Sequence, residues 1–249
     1  MNETKDQIWE EIKNDKTLVY QDQTMFDAFL ATIDYIDYKQ YLKLNKKEKD
    51  KLNRNVVLDF DRNITEFPKE LKDFFGDLDF NNTKITSLPD DLYIGGDLDL
   101  SNTKIAKLPE NLTVGKGLYL SHTNISSVPK SLKVGGNLHI KYSPLTSLPE
   151  GLTVGGPLII TNTPIKDLPE NLSVGGYMDA TDTNISFIPK SLKVKGSLFL
   201  GNTLVTTLPE DFAVDGRLDL SNSKITTLPK SLKVKLDIDL RNTPISRHW

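Results

Sequence analysis

Asp79, Asp99, Asp179, Asp219 and Asp239 stand at multiples of twenty residues, with Asp59 one step before them. Carboxylates held at a fixed separation are raw material for general acid–base catalysis or for a hard-cation site. Acid–base work needs burial that splits two pKa values, and acids spaced evenly along an open surface lack it. His122 and His139 fall in adjacent periods but three residues out of phase, so on neighbouring strands they lie about 10 Å apart and cannot readily share a metal. The chain has no cysteine, which removes thiolate nucleophiles, thiolate metal sites and disulfides. The sequence therefore predicts no catalytic residue, no metal, no cofactor and no enzyme activity. What changes along the aspartate series is more informative, because Tyr119, His139, Ile159 and Phe199 stand at the same phase. Rings in place of acids are the chemistry of contact.

Those residues are positioned by a repeat. GGDLDLSNTKIAKLPENLTV is followed by GKGLYLSHTNISSVPKSLKV and GGNLHIKYSPLTSLPEGLTV, and prolines from Pro89 to Pro229 mark a period of twenty. A period of this size signals a solenoid. Leu98 and Leu100 flank one outward residue, as in a strand, and Leu118 with Leu120 and Leu138 with Ile140 repeat the pattern. Ile105, Leu108, Leu112 and Val114 supply the other walls of each coil, and only stacking against neighbours can bury them. Glycine pairs such as Gly135–Gly136 mark a sharp turn into the strand. Proline on the return path fixes an extended backbone, and the stretch is too short for an α-helix. VVLDFDRNITEFPKEL extends the array back to about Val56 if one residue is lost between Asn63 and Ile64.

LDLSNTKIAKLP resembles the LxLxxNxLxxLP core of leucine-rich repeats, and the likeness covers about residues 56–245. The short period and the Leu-Pro pair are most similar to bacterial and phage-type repeats, including the YopM and IpaH classes of injected effectors. The resemblance implies an α+β solenoid with about ten short parallel strands on a concave face, an extended, polyproline-like convex side and an N-terminal helical cap. The family's inward Asn is replaced mostly by Thr, as at Thr103, Thr123 and Thr163, with Asn63 alone keeping the amide. A threonine hydroxyl can still satisfy a buried backbone group. Ubiquitin-ligase relatives carry a separate domain with a catalytic cysteine, and with no cysteine in the sequence that activity is not expected here.

Residues 1–54 are expected to form the capping segment, with residues 55–249 as the solenoid. Thr4 with Gln7 reads as a capping box before Ile8, Trp9 and Ile12. Thr24 with Asp27 opens a longer helical pattern through Phe26, Phe29, Leu30, Ile33, Ile36 and Tyr41. Asn45 and Glu48 begin a third short helix, and Trp249 is a candidate to fold over the last coil. A net charge of -3 argues against a polyanion partner. No run is apolar enough for a membrane span. The start, MNETKDQIWEEIK, is charged where a secretory signal needs an apolar stretch, so none is expected. These features predict a cytoplasmic protein binding neither nucleic acid nor membrane, although a bacterial injection signal would leave no such mark.

Function is expected where the repeat varies, on the outward face of the strands. The aspartate series and the column two residues before it share an acidic periphery and an aromatic middle. The predicted partner-binding residues are Tyr119, His122, His139, Lys141, Tyr142, Ile159, Tyr177, Asp179 and Phe199. Phe187 and Leu204, at positions elsewhere polar, suggest a smaller apolar patch. The leading expectation is a protein-protein interaction module for a protein partner; the alternative is a self-assembling structural protein using the C-terminal edge or the concave face.

Overall fold

The structure, a computed structural model, describes residues 35–37 and 57–248. Among them are twenty short strands, two 3-10 turns at Lys69–Leu71 and Ile245–His248, and no α-helix. Eleven strands form one parallel sheet, from Tyr35–Asp37 and Val57–Asp59 through Leu98–Asp99 and Leu118–Tyr119 to Ile238–Asp239. Each coil adds one strand to it. Residues twenty apart meet in register, as Leu98 with Leu118 and Leu118 with Leu138.

The apolar periodicity becomes the core. Leu98, Leu100, Ile105 and Leu112, with their counterparts in later coils up to Ile225, are fully or almost fully buried. Stacked coils bury on both sides what one coil of about twenty residues could not bury alone. The threonine column supplies the polar lining. Oγ1 of Thr103, Thr123, Thr163, Thr183 and Thr203 each donates to the carbonyl three residues back at 2.7 Å. These residues are buried, so the hydroxyl closes the turn after the strand where water cannot reach.

Three expectations are corrected. The return path is not polyproline-like throughout: a second, seven-stranded parallel sheet runs from Asp73–Phe74 to Lys193–Val194, and a separate pair joins Ala213–Val214 to Lys233–Val234. Coils in the same phase bring the Thr113 N–H to the Leu92 carbonyl at 2.9 Å and the Gly115 N–H to that of Ile94 at 2.7 Å. Such a ladder satisfies backbone groups that proline alone would leave unpaired. Its closest contacts suit glycine, since a Cβ on Gly155 would lie 1.9 Å from the Gly135 carbonyl oxygen and one on Gly175 2.0 Å from that of Gly155. The ladder breaks between Val194 and Ala213, where Lys195 and Asp215 replace glycine and Phe212 replaces leucine. A cleft of about 370 Å³ opens at the break, lined in part by Lys193, Phe212 and Asp215.

The second correction concerns the cap. Tyr35–Asp37, inside the helical pattern read from Thr24 to Tyr41, is a strand paired in parallel with Val57–Asp59. An open sheet edge offers unpaired backbone groups, which a strand satisfies and a helix cannot. With no α-helix among the described residues, the α+β class and the helical cap are not supported; the other expected helices and Trp249 lie outside those residues.

Third, Asn63 does not point inward. It is exposed and its Oδ1 accepts from Lys84 Nζ at 2.8 Å. The Ile64 carbonyl accepts the Lys84 N–H at 3.0 Å, the role that the Ile105 carbonyl plays for Asn124. The residue missing from this coil is therefore the inward polar one.

Replacing the hydroxyl alone tests the threonine column. Thr163→Val leaves the Ile160 carbonyl buried without its donor, and chemical denaturation should show a loss of roughly 1–3 kcal/mol. Unchanged stability would remove the column from the forces that define the coil.

Candidate functional site

In-register pairing places Asp79 beside Asp99 and continues through Tyr119, His139, Ile159, Asp179, Phe199, Asp219 and Asp239. The aspartates have a local task. Oδ1 of Asp79, Asp99, Asp179, Asp219 and Asp239 accepts the N–H of the residue two further on, at 2.8–3.1 Å. Two residues earlier, Asp77 Oδ1 accepts the Asp97 N–H at 2.8 Å, and Ser197 Oγ accepts the Arg217 N–H at 3.0 Å. Much of the acidic character thus follows from satisfying backbone donors at turns. A hydrogen bond of this kind contributes on the order of 1 kcal/mol. Ile159 and Phe199 have no acceptor to offer, and Tyr119 and His139 do not make the bond.

A second rule is broken in the same coils. From Asp77–Asp79 onward the turn after each strand of the large sheet holds one residue at positive φ, and Asn82, Asn102, Asn162, Asp182, Asn202, Asn222 and Asn242 fill it with φ between 55° and 60°. Asn and Asp tolerate this region; bulkier side chains are strained there. In two successive coils the position holds His122 (φ 57°) and Tyr142 (φ 53°) instead. Their rings stack, with centroids 4.7 Å apart and planes 7° from parallel. Beside them Tyr119 meets His139 edge to face at 4.8 Å, and further along Tyr177 meets Phe199 at 6.1 Å.

The structure thus resolves the nine predicted residues into three ring pairs and three singles. Tyr142 is 53% and Tyr177 38% exposed, and His122 is exposed, whereas Tyr119, His139 and Phe199 are half-buried. Lys141 separates His139 from Tyr142 along the chain. Asp179 holds the Thr181 N–H at 3.0 Å. Ile159 is 7% exposed, so it serves the face as support more than as contact surface. His122 and His139 pair with different tyrosines, and among the described residues no group of three or more His, Asp or Glu is placed to hold a metal.

Two residues outside that set shape the face. A Cβ on Gly117 would lie 2.7–2.8 Å from atoms of the Tyr119 ring and its hydroxyl, so glycine makes room for the ring. The signal was present in the sequence as a glycine in a column that begins Asp77, Asp97. Asn137 hydrogen-bonds Tyr119, while burial and then the charge of Asp97 raise the phenol pKa. Burial first, and then the charge of Lys141, lower the His139 imidazole pKa from its ordinary value.

At the C-terminal end of the face Asp239 is clamped by two arginines. Arg217 Nη2 lies 2.6 Å from Oδ2, and Arg241 reaches both oxygens, Nε to Oδ1 at 2.9 Å and Nη2 to Oδ2 at 2.7 Å. Hydrogen bonds from Arg241 outweigh burial and lower the Asp239 pKa to about 2. The clamp joins the last two coils.

No protein-family model and no curated protein matches the chain. A solved leucine-rich-repeat protein of Leptospira interrogans is similar over 90% of this chain and 88% of its own length, with 16% identity and a TM-score of 0.40. No helix among the described residues is long and apolar enough to cross a membrane.

Gly117→Ala should push the Tyr119 ring off His139 and expose the imidazole, so its NMR titration midpoint should rise toward the ordinary value; an unmoved midpoint would show that glycine is not what seats the ring. For Asp239, a folded pKa below the unfolded one gives stability that is present above the unfolded value and is lost as pH falls through the folded one. The stability gap between wild type and Asp239→Asn should accordingly hold above pH ~4 and narrow toward pH ~2. A gap independent of pH would show that the clamp is not ionic.

Proposed function

We propose that this chain is a non-enzymatic protein-binding module whose contact surface is the outward face of the eleven-stranded sheet. The contact residues are Tyr119, His122, His139, Lys141, Tyr142, Tyr177, Asp179 and Phe199, with Ile159 as their support. One observation carries the reading. In the successive coils of Tyr119–His122 and His139–Tyr142, the repeat departs from two stabilising rules at once: the aspartate that bonds the turn, and the Asn or Asp that suits positive φ. Drift on a solvated surface would scatter such departures; here the replacements stack on one another. Aromatic residues are the usual anchors of protein interfaces. The likeness of the repeat to the short bacterial and phage type makes a bacterial or phage-encoded, effector-like binder acting in a cytoplasm the setting to test first.

A second reading, self-assembly, has an observation of its own. Ile238 occupies a column that is fully buried at Leu198 and Leu218, yet it is 38% exposed, and Leu236 beside it is 69% exposed. Solution mass that rises with protein concentration would support that reading over the first.

The double variant His122→Asn with Tyr142→Asn separates strain from function. Two asparagines relieve roughly 1 kcal/mol each of left-handed strain, against a stacked pair worth about 1 kcal/mol. Thermal stability should therefore be unchanged or higher, while capture of a protein partner from candidate lysates should fall at least tenfold. A variant that loses stability and retains capture would contradict the proposal.

A further inference from the structure

The two strand columns of the proposed face are predominantly acidic, and Lys141 is the one cation among the proposed contact residues. From Asp77 onward those columns hold eight aspartates against one arginine, Arg217, and no lysine. Arg217 is engaged with Asp239, and Asp77 with Lys116 at 3.3 Å. The aspartates nearest the rings are less committed. Asp99 and Asp179 each use Oδ1 for a backbone N–H, and Oδ2 of neither has a protein partner among the described residues. They bracket Tyr119, His139 and Ile159: Asp99 is in register beside Tyr119, and Asp179 lies between Ile159 and Phe199. Four strand spacings of about 4.8 Å separate them, or roughly 19 Å.

Resting on the reading above, we propose that the partner presents a basic segment, in which lysine or arginine side chains about 19 Å apart flank an apolar stretch. The apolar stretch lies on Tyr119, His139 and Ile159, and its flanking cations reach Asp99 and Asp179. In an extended segment that distance corresponds to about six residues at 3.3 Å each. The exposed ring of Tyr142 suits a cation as well as an apolar group, through the attraction of positive charge to an aromatic face. An acidic segment would meet repulsion from eight carboxylates and would leave both charge layers unpaired. The negative field around Tyr119 agrees: Asp97, Asp99 and Asp77 all disfavour a second negative charge there.

Random twelve-residue peptides displayed on phage, selected on the full immobilised chain, test this directly. Enriched peptides should carry lysine or arginine about six positions apart around apolar residues. Their binding should fall at least tenfold in the Asp99→Asn, Asp179→Asn variant, in which asparagine can still accept the turn N–H. The pair Asp90→Asn, Asp167→Asn changes net charge equally away from the face and should leave binding intact. Enriched peptides that lack basic residues but are lost on Tyr119→Ala with Tyr177→Ala would overturn the basic-partner inference and leave the binding face standing. Equal loss in both asparagine pairs would reduce the effect to bulk charge and also overturn it. Peptides indifferent to the ring variants, or no enrichment at all, would count against the face as well.

Discussion

Coil must lie on coil in the same phase, and the remainder of the molecule follows from that condition. A turn of twenty residues has too little interior to bury its own leucines, so each is covered by the turns before and after it. The same stacking brings the N–H of one coil to the carbonyl of the next in two parallel sheets. Tolerance is small where backbones touch, and a single Cβ on Gly155 would lie 1.9 Å from an oxygen of the neighbouring coil. Where glycine gives way to Lys195 and Asp215 the second sheet is interrupted while the first continues. The eleven-stranded sheet is thus the invariant element, and its outer face is a surface on which most side chains can change without disturbing the stack.

That freedom is narrower than the repeat suggests. Most outward aspartates close a turn, and most residues at positive φ are asparagine or aspartate for conformational reasons. An acidic face can therefore arise with no ligand in view. Informative positions are those where the backbone's preference is overridden, and His122, Tyr142, Tyr119, His139 and Phe199 all qualify. Natural sequences tend to break local rules at functional sites, and here the breaks coincide with ring contacts.

Legibility in the sequence followed the same division. Inward columns, the coil period and the register of Tyr119, His139 and Phe199 could be read directly, because a twenty-residue translation fixes which side chains are neighbours. The second sheet was harder to see. Thr113 and Val114 are a two-residue strand, too short for alternation to register, although the carbonyl-to-glycine spacing demands it. The segment around Tyr35 misled because Phe29, Leu30, Ile33 and Ile36 fit a helical period, while the need to satisfy an open sheet edge is a tertiary fact. Burial of Ile159 and the accommodation of Tyr119 by Gly117 depend on side-chain packing across coils, which spacing alone does not reveal. Positive φ at His122 and Tyr142 was recoverable in principle from the asparagines at the same phase.

The central claim is that partners meet this molecule on the ring-bearing face. A photo-reactive benzoylphenylalanine placed at position 142, and in a second variant at the exposed position 107 on another side of the coil, reads contact directly in cells. The account predicts a discrete covalent adduct with another protein from position 142 and none from position 107. The same adducts from both positions, or an adduct from position 107 alone, would contradict it.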